Sequence, residues 1–161
     1  MDWGEHHCAA EVPVTPMIAL ASDHAGYEYK ERIKKLLDEM GLAYEDFGTH
    51  TPESTDYPDY GHAASGAIAS HRADRGILVC GSGIGMSMVS NKHSGVRAAV
   101  CESTEAARLA RQHNDANVLT IGARLTPWSK AVEIIKVFLS TQFEGGRHQR
   151  RVEKIHKLTK L

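Results

Sequence analysis

The feature that most constrains the fold of this chain is an alternation of short apolar runs with longer segments of helical periodicity. The apolar runs predict buried strands, and the segments between them predict helices. The predicted strands are 18–21, 42–47, 76–80, 96–101 and 117–121, and the predicted helices are 27–40, 57–71, 103–113 and one that opens at Thr126-Pro127 with a threonine N-cap. Strands that alternate with helices favour a parallel sheet covered on both faces. The sequence therefore predicts an α/β fold, a three-layer α/β/α, Rossmann-like arrangement with a parallel sheet of about five strands.

Length and charge predict one domain of ordinary size. The chain has 161 residues and a formal net charge of -1, which gives no reason to expect a nucleic-acid partner. Residues 1–16 show no apolar periodicity and are predicted to be an N-terminal extension, either disordered or foreign to the domain at 17–161. No apolar run approaches the roughly 20 residues of a membrane-spanning helix. Three cysteines without a C-x-x-C pair predict reduced thiols, no cysteine zinc site and a cytoplasmic location.

A glycine-rich turn follows the third predicted strand and carries a thiol at its start. Cys80 ends the strand, and Gly81-Ser82-Gly83-Ile84-Gly85 follows before a helix that is predicted to begin at Met86-Ser87. Glycines let the backbone approach a small polar ligand, and amides at a helix start favour an oxyanion. The turn therefore predicts chemistry by an activated Cys80 on a small anionic molecule.

Three familiar loop types do not fit this turn. The dinucleotide pattern G-x-G-x-x-G and the cysteine-phosphatase pattern both fail at Met86, where the first needs glycine or alanine and the second arginine. A P-loop ending in Gly-Lys-Ser or Gly-Lys-Thr is absent from the sequence. The positive charge for an anionic substrate must therefore come from elsewhere in the chain.

Candidate partners for an anion lie toward the C-terminus. Arg147 and Arg151 are four residues apart, so on a helix they share a face and form a two-armed clamp for a dianion, although a solvated basic helix end has the same pattern. His113 ends a predicted helix, where an imidazole is suited to proton transfer but is more often structural. His24 follows the first strand directly and is better placed than four other histidines that belong to no evident cluster, namely His62, His71, His93 and His156.

Five ordered motifs together resemble those of one enzyme family. They are Ser22-Asp23-His24-Ala25-Gly26, Thr55-Asp56-Tyr57-Pro58, Cys80-Gly81-Ser82-Gly83-Ile84-Gly85, Arg111-Gln112-His113-Asn114-Asp115-Ala116-Asn117 and Glu144-Gly145-Gly146-Arg147-His148. Together they resemble the type B ribose-5-phosphate isomerases, a family that includes galactose-6-phosphate isomerase. The resemblance spans about residues 17–156 and is far more specific than a single glycine loop.

The resemblance implies interconversion of ribose 5-phosphate and ribulose 5-phosphate through an enediolate, without a metal or an organic cofactor. It implies that Cys80 is the base that moves the proton between C1 and C2 and that His113 is the acid that opens the sugar ring. The implied substrate-binding residues are Asp23, His24 and Asn114 at the sugar, and Arg124, Arg147 and Arg151 at the phosphate, which His24 shares. Ser82 and the amides of Gly81, Gly83, Ile84 and Gly85 are implied at the oxyanion and the sugar hydroxyls, and Tyr57 is implied as a further substrate-binding residue. It also implies a homodimer or a dimer of dimers whose sites are shared between subunits.

Several alternatives remain open at this stage. Some relatives use a glutamate a few residues beyond the loop as the base, but this chain has Met86-Ser87-Met88-Val89 there, which leaves Cys80 as the candidate. A six-carbon substrate such as allose or galactose 6-phosphate fits the same motifs. A sugar-phosphate-binding protein without turnover would keep the arginines yet not need Cys80. A thiol-dependent transferase or hydrolase would instead form a covalent adduct on Cys80.

Overall fold

The computed structural model describes residues 15–161 and contains a five-stranded parallel sheet, as the sequence predicts. The strands are β1 (Ile18–Ser22), β2 (Tyr44–Asp46), β3 (Arg75–Cys80), β4 (Ala98–Val100) and β5 (Val118–Gly122). Their order across the sheet is β2-β1-β3-β5-β4, and each neighbouring pair is parallel. Most of the predicted extension, residues 1–14, lies outside the described residues, so the extension stays a prediction.

Helices cover both faces of the sheet and complete the three layers. They are α1 (Tyr27–Glu39), α2 (Tyr57–Ala69), α3 (Ile84–Ser90), α4 (Thr104–Asn114), α5 (Trp128–Ser140) and α6 (Arg147–Leu158). Side chains alternate along β3, where Ile77 packs in the cluster that includes α1, α4 and α5, and Leu78 packs in the cluster that includes α2 and α3. Within residues 15–161, none of the helices has the length and apolar character that crossing a bilayer requires.

The starts of α5 and α3 differ from those that the sequence predicts. The N-cap of α5 is Pro127, so the prediction of a Thr126 cap is wrong. The Thr126 N–H donates to Gly122 O at 2.9 Å and its carbonyl accepts from the Tyr29 hydroxyl at 2.6 Å, which holds Thr126 in the turn after β5. Helix α3 begins at Ile84, ahead of the predicted Met86, because Gly83 already serves as its N-cap. The glycine turn therefore runs directly into a helix.

Candidate active site

A cavity of about 320 Å³ lies at the carboxyl ends of the strands, next to the Cys80 turn. Its lining residues are Asp23, Tyr57, Cys80, Gly81, Ser82, Gly85, Arg124 and Leu125. Strands β1 and β3 are parallel neighbours, so residues that follow or end them meet at this end of the sheet. All of the lining residues except Leu125 are among those that the sequence singled out. The volume lies in the range of about 300–1,000 Å³ that is typical of small-molecule sites.

The Cys80 side chain is buried at the end of β3 and is held by its own turn. The Gly83 N–H donates to the Cys80 Sγ at 3.2 Å. Gly83 has a left-handed backbone with φ of 78°, a conformation that glycine adopts without strain. Its backbone can therefore fold back over the sulfur, and the thiol faces an N–H donor.

The Ser82 hydroxyl sits at the mouth of the same turn. It accepts a hydrogen bond from the Ile84 N–H at 3.3 Å, which leaves the hydroxyl proton available for donation to a ligand. The amides of Gly83 and Ile84 thus already donate to side chains of the turn. A ligand oxygen would have to displace these bonds to use those two amides.

Tyr57 and Arg124 enclose the turn from two sides. The Tyr57 ring lies so close to Gly85 that a Cβ at position 85 would be 2.8 Å from ring carbons. The Arg124 guanidinium lies over Gly81, where a Cβ would be 3.2 Å from Nη1. The Arg124 N–H also donates to Gly81 O at 3.0 Å. The glycines therefore allow an aromatic ring and a cation to approach the backbone beside Cys80.

Asp23 and His24 follow β1 on the adjoining side. Asp23 is 7% exposed and lines the cavity, and its Oδ1 accepts from the Gly26 N–H at 3.0 Å, which fixes the carboxylate at the end of β1. The His24 Nδ1 lies 3.2 Å from both the N and the O of Thr55. When Nδ1 accepts from the Thr55 N–H, the ring proton is on Nε2. His24 flanks the cavity without lining it.

The remaining predicted residues lie at the other end of the sheet, beside the amino ends of the strands. Helix α4 starts after β4 and returns to the amino end of β5, so His113 and Asn114 at its end are separated from Cys80 by the length of the strands. Asn114 lines a different cavity of about 400 Å³ beside β4 and α6. Arg147 and Arg151 lie one turn apart on α6, exposed to solvent. A single chain therefore holds the predicted site in two separate halves.

His113 belongs to a side-chain cluster that the sequence did not reveal. Its ring stacks on that of His148, with centroids 4.3 Å apart and an interplanar angle of 13°. The Glu144 Oε2 lies 3.5 Å from the His148 Nε2 and 4.0 Å from the His113 Nε2. Burial, together with the charges of His113 and Arg147, holds the pKa of His148 below its ordinary value. The spacing of four residues between Glu144 and His148 is the only signal in the sequence for this pair.

Two further histidines, which the sequence placed in no cluster, also form a pair. The His62 Nδ1 on α2 lies 2.7 Å from the His93 Nε2 after α3, so the expectation that they are isolated is wrong. The pair joins positions 31 residues apart, a contact that depends on how α2 and α3 pack.

Comparisons with known proteins agree with the fold and with the motifs. Residues 18–155 match the model of a family described as Ribose/Galactose Isomerase. Ribose-5-phosphate isomerase B of Escherichia coli is 46% identical over 138 residues, which cover 86% of this chain and 93% of the relative. A structure of ribose-5-phosphate isomerase B from Clostridium thermocellum is 45% identical with a TM-score of 0.87, covering 88% of this chain and 96% of that one. The same enzyme from Mycoplasma genitalium, with bound ribulose-5-phosphate, is 40% identical with a TM-score of 0.86, covering 88% and 95%.

Proposed function

The chain belongs to the ribose/galactose isomerase family, and from this premise we propose that it is an enzyme that interconverts D-ribose 5-phosphate and D-ribulose 5-phosphate. The observation that carries the proposal is the match, over nearly the whole domain, to a structure with bound ribulose-5-phosphate. The cavity beside Cys80 supports it, because a thiol, a carboxylate, a hydroxyl and a guanidinium converge there. The substrate is therefore a small sugar phosphate, and the reaction is an aldose-ketose isomerisation of the non-oxidative pentose phosphate pathway.

We assign the proton transfer at carbon to Cys80. The thiolate takes the proton from C2 of the open-chain aldose, the electron pair forms a cis-enediolate, and the thiol returns the proton to C1 while the hydroxyl proton moves from O2 to O1. No electrons leave the substrate, so the step needs no redox cofactor. The Ser82 hydroxyl, which accepts from Ile84, donates its proton toward the enediolate oxygen, and we assign the same role to the amides of Gly81 and Gly85.

We propose that a second copy of the chain completes the site. It would bring its own His113 as the acid for ring opening, Asn114 for the sugar, and Arg147 and Arg151 for the phosphate. The separation of the two halves within one chain supports a homodimer or a dimer of dimers. Three apolar side chains around the Cys80 turn support it too, because Ile84, Met88 and Leu125 are 48%, 63% and 58% exposed.

The other site residues take roles that suit their positions. Asp23, His24 and Tyr57 contact the sugar, and Arg124 contacts the phosphate from the side of Gly81. We also propose a cytoplasmic location, which is supported by the free thiols at Cys80 and Cys101.

The test is conversion of ribose 5-phosphate to ribulose 5-phosphate by the full chain, with and without a chelator. Cys80→Ala should lower kcat by at least about 100-fold, because it removes the base. Cys101→Ala is the matched control, since Cys101 is also buried but lies outside the cavity, and it should turn over like the unaltered protein. A folded protein that acts only on a six-carbon sugar phosphate, or on neither substrate, would contradict the five-carbon assignment. Full turnover by Cys80→Ala would remove Cys80 from the mechanism.

A further inference from the structure

We propose that His113, Glu144 and His148 form a binding site for a divalent transition-metal ion of the Zn²⁺ class. The site lies where the end of α4 meets the segment before α6. This is at the amino ends of the strands, whereas Cys80 is at a carboxyl end. Two imidazole nitrogens and one carboxylate oxygen are a donor set that Zn²⁺, Ni²⁺ and Cu²⁺ accept, whereas Mg²⁺ and Ca²⁺ prefer oxygen ligands alone.

The distances between the three donor atoms fit such an ion. All three lie within 4.8 Å of one another. Zinc bonds of about 2.1 Å in a tetrahedral arrangement place neighbouring ligand atoms about 3.4 Å apart. The separations of 3.5 Å and 4.0 Å from the Glu144 Oε2 to the two Nε2 atoms are close to that value. The three donor atoms are therefore close enough together for one ion to contact them all once their lone pairs face it.

The backbone around the cluster holds two of the three donors in place. Glu144 lies in the irregular segment before α6, and His148 follows four residues later in the first turn of that helix. The Glu144 N–H donates to Gln112 O at 3.1 Å, which ties this segment to the residue before His113. The His148 side chain is 9% exposed, so its neighbours restrict it. The backbone of Glu144 and the side chain of His148 are therefore held beside the end of α4.

Closing the site requires one ring to turn. An imidazole lone pair lies in the plane of its ring, and the two rings are within 13° of parallel, so their lone pairs do not converge as they stand. The His113 side chain is 38% exposed at the last turn of α4 and has room to rotate toward Glu144. A fourth position then remains for water, as in zinc sites with three protein ligands.

The nearby charges determine the affinity for the metal ion that we expect. Glu144 is the only carboxylate in the cluster, and Arg147 and Arg151 place positive charge beside His148. This charge opposes a cation, so we expect an affinity in the micromolar range and reversible occupation rather than a permanently bound ion.

Binding has a consequence for turnover that rests on the proposed function. The proposed acid for ring opening is His113, and a metal ion on its Nε2 excludes a proton from that atom. Micromolar Zn²⁺ should therefore inhibit isomerisation of the cyclic substrate, and a chelator should restore it.

Calorimetric titration of the full chain with Zn²⁺ tests the site directly, and the visible absorption of bound Co²⁺ reports its geometry. Glu144→Gln should weaken Zn²⁺ binding by at least about tenfold, since it removes the only charged ligand. The Glu144 side chain is 49% exposed, so this variant is expected to fold, and His148→Gln provides a second test. His62→Gln is the matched control, because it removes a histidine from the other pair and should leave this binding event unchanged.

The residues outside the described part of the chain, including His6, His7 and Cys8, are present in every variant, so their contribution cancels in the comparison. Equal Zn²⁺ affinity in the unaltered protein, Glu144→Gln and His148→Gln would overturn the proposal, as would a loss confined to His62→Gln. If the protein isomerises ribose 5-phosphate but does not bind Zn²⁺ in the calorimetric titration, the metal site is refuted and the proposed function is not. If it binds Zn²⁺ at this site but does not isomerise ribose 5-phosphate, the proposed function is refuted and the metal site is not.

Discussion

At the scale of single residues, Cys80 and Cys101 are both buried thiols at the ends of strands, yet their surroundings differ. Cys80 lines the cavity and accepts a backbone N–H, whereas Cys101 follows β4 and is 1% exposed in the larger apolar cluster. Burial raises the pKa of the Cys101 thiol to about 11. Cys101 therefore has neither the access nor the charge that a nucleophile needs.

Alkylation of the folded protein should separate the two thiols. We expect iodoacetamide at pH 8 to modify Cys80 and to leave Cys101 unmodified, because the reagent needs an accessible thiolate. Peptide mapping by mass spectrometry gives the modified fraction of each cysteine, and the unfolded protein in urea is the control in which both react. Equal labelling of the two cysteines in the folded state would contradict this expectation.

Gly85→Ala should change substrate binding more than stability. The added methyl group would lie 2.8 Å from the Tyr57 ring, so the ring must move, and its exposure of 38% makes that movement possible without disturbing the core. We expect KM for ribose 5-phosphate to rise by roughly tenfold, or about 1.4 kcal/mol of binding, with little change in Tm. Gly66→Ala on α2, where a Cβ would meet nothing within 4 Å, is the control and should leave KM unchanged. An unchanged KM in Gly85→Ala would show that Tyr57 does not contact the substrate.

Asp23, Cys80 and the glycine turn were predictable because they end a strand or directly follow one, whereas Tyr57, which opens α2, and Arg124 were predicted from the family resemblance. Leu125 was missed, since an apolar residue one position beyond Arg124 carries no chemical signal.

The contact of Glu144 with His113 joins residues that are far apart in the sequence. It depends on the path of the irregular segment 141–146, which has no helical or strand periodicity from which that path could be predicted. Local sequence patterns therefore predict the element on which a residue lies, but not which distant residue its side chain contacts.

At the scale of the elements, an ion pair links α1 to the edge strand β2. Lys30 is fully buried, and its Nζ lies 2.5 Å from the Asp46 Oδ2, which also contacts Lys34 at 2.5 Å. Burial alone would raise the pKa of Asp46, but hydrogen bonds from Lys30 and Lys34 outweigh it and hold that pKa below its ordinary value.

Asp46→Asn should lower the free energy of unfolding by about 3 kcal/mol, because it leaves the buried ammonium of Lys30 without its main partner. Lys30→Met should cost less, since Asp46 keeps Lys34 and the Gly48 N–H at 2.8 Å. Urea unfolding of the two variants measures both effects. A larger loss in Lys30→Met than in Asp46→Asn would contradict the assignment.

The pH dependence of this effect has a definite sign. The pKa of Asp46 is lower in the folded protein than in the unfolded chain, so its contribution is present above the unfolded value of about 3.9 and is lost as pH falls through the folded value. The difference in stability between Asp46→Asn and the unaltered protein should therefore shrink below pH 4.

The element boundaries show where sequence patterns stop being informative. The strands predicted at 42–47 and 96–101 shorten to Tyr44–Asp46 and Ala98–Val100, because in the described part of the chain β2 and β4 are the edge strands and pair on one side only. The central strands β1, β3 and β5 match their predicted runs to within about one residue. Ser103 caps α4 through the Ala106 N–H, whereas Thr126, whose backbone bonds to Gly122 and Tyr29 in the turn after β5, does not cap α5. Tertiary contacts, which a local pattern does not contain, decide these cases.

At the scale of the whole molecule, the two halves of the proposed site make complementation possible. Cys80→Ala and His113→Ala should each be nearly inactive, because each removes one half from every site. A heterodimer of the two variants pairs the intact Cys80 of one chain with the intact His113 of the other, so one of its two sites is complete. After co-refolding of equal amounts, we expect about a quarter of the unaltered activity.

Mixing without subunit exchange is the control and should restore nothing. Absence of activity after co-refolding, with heterodimers demonstrated by a size or affinity tag, would show that each chain carries a complete site of its own.

The strand order also has a consequence for how the chain is made on a ribosome. Strand β1 gains both of its neighbours as soon as β3 has been synthesised, so the β2-β1-β3 half of the sheet can assemble early. Among residues 15–161, strand β4 pairs only with β5, which is translated after α4. When β4 leaves the ribosomal exit tunnel, its partner strand β5 has therefore not yet emerged. The β3-β5-β4 half of the sheet can form only after Gly122, the last residue of β5, has left the tunnel.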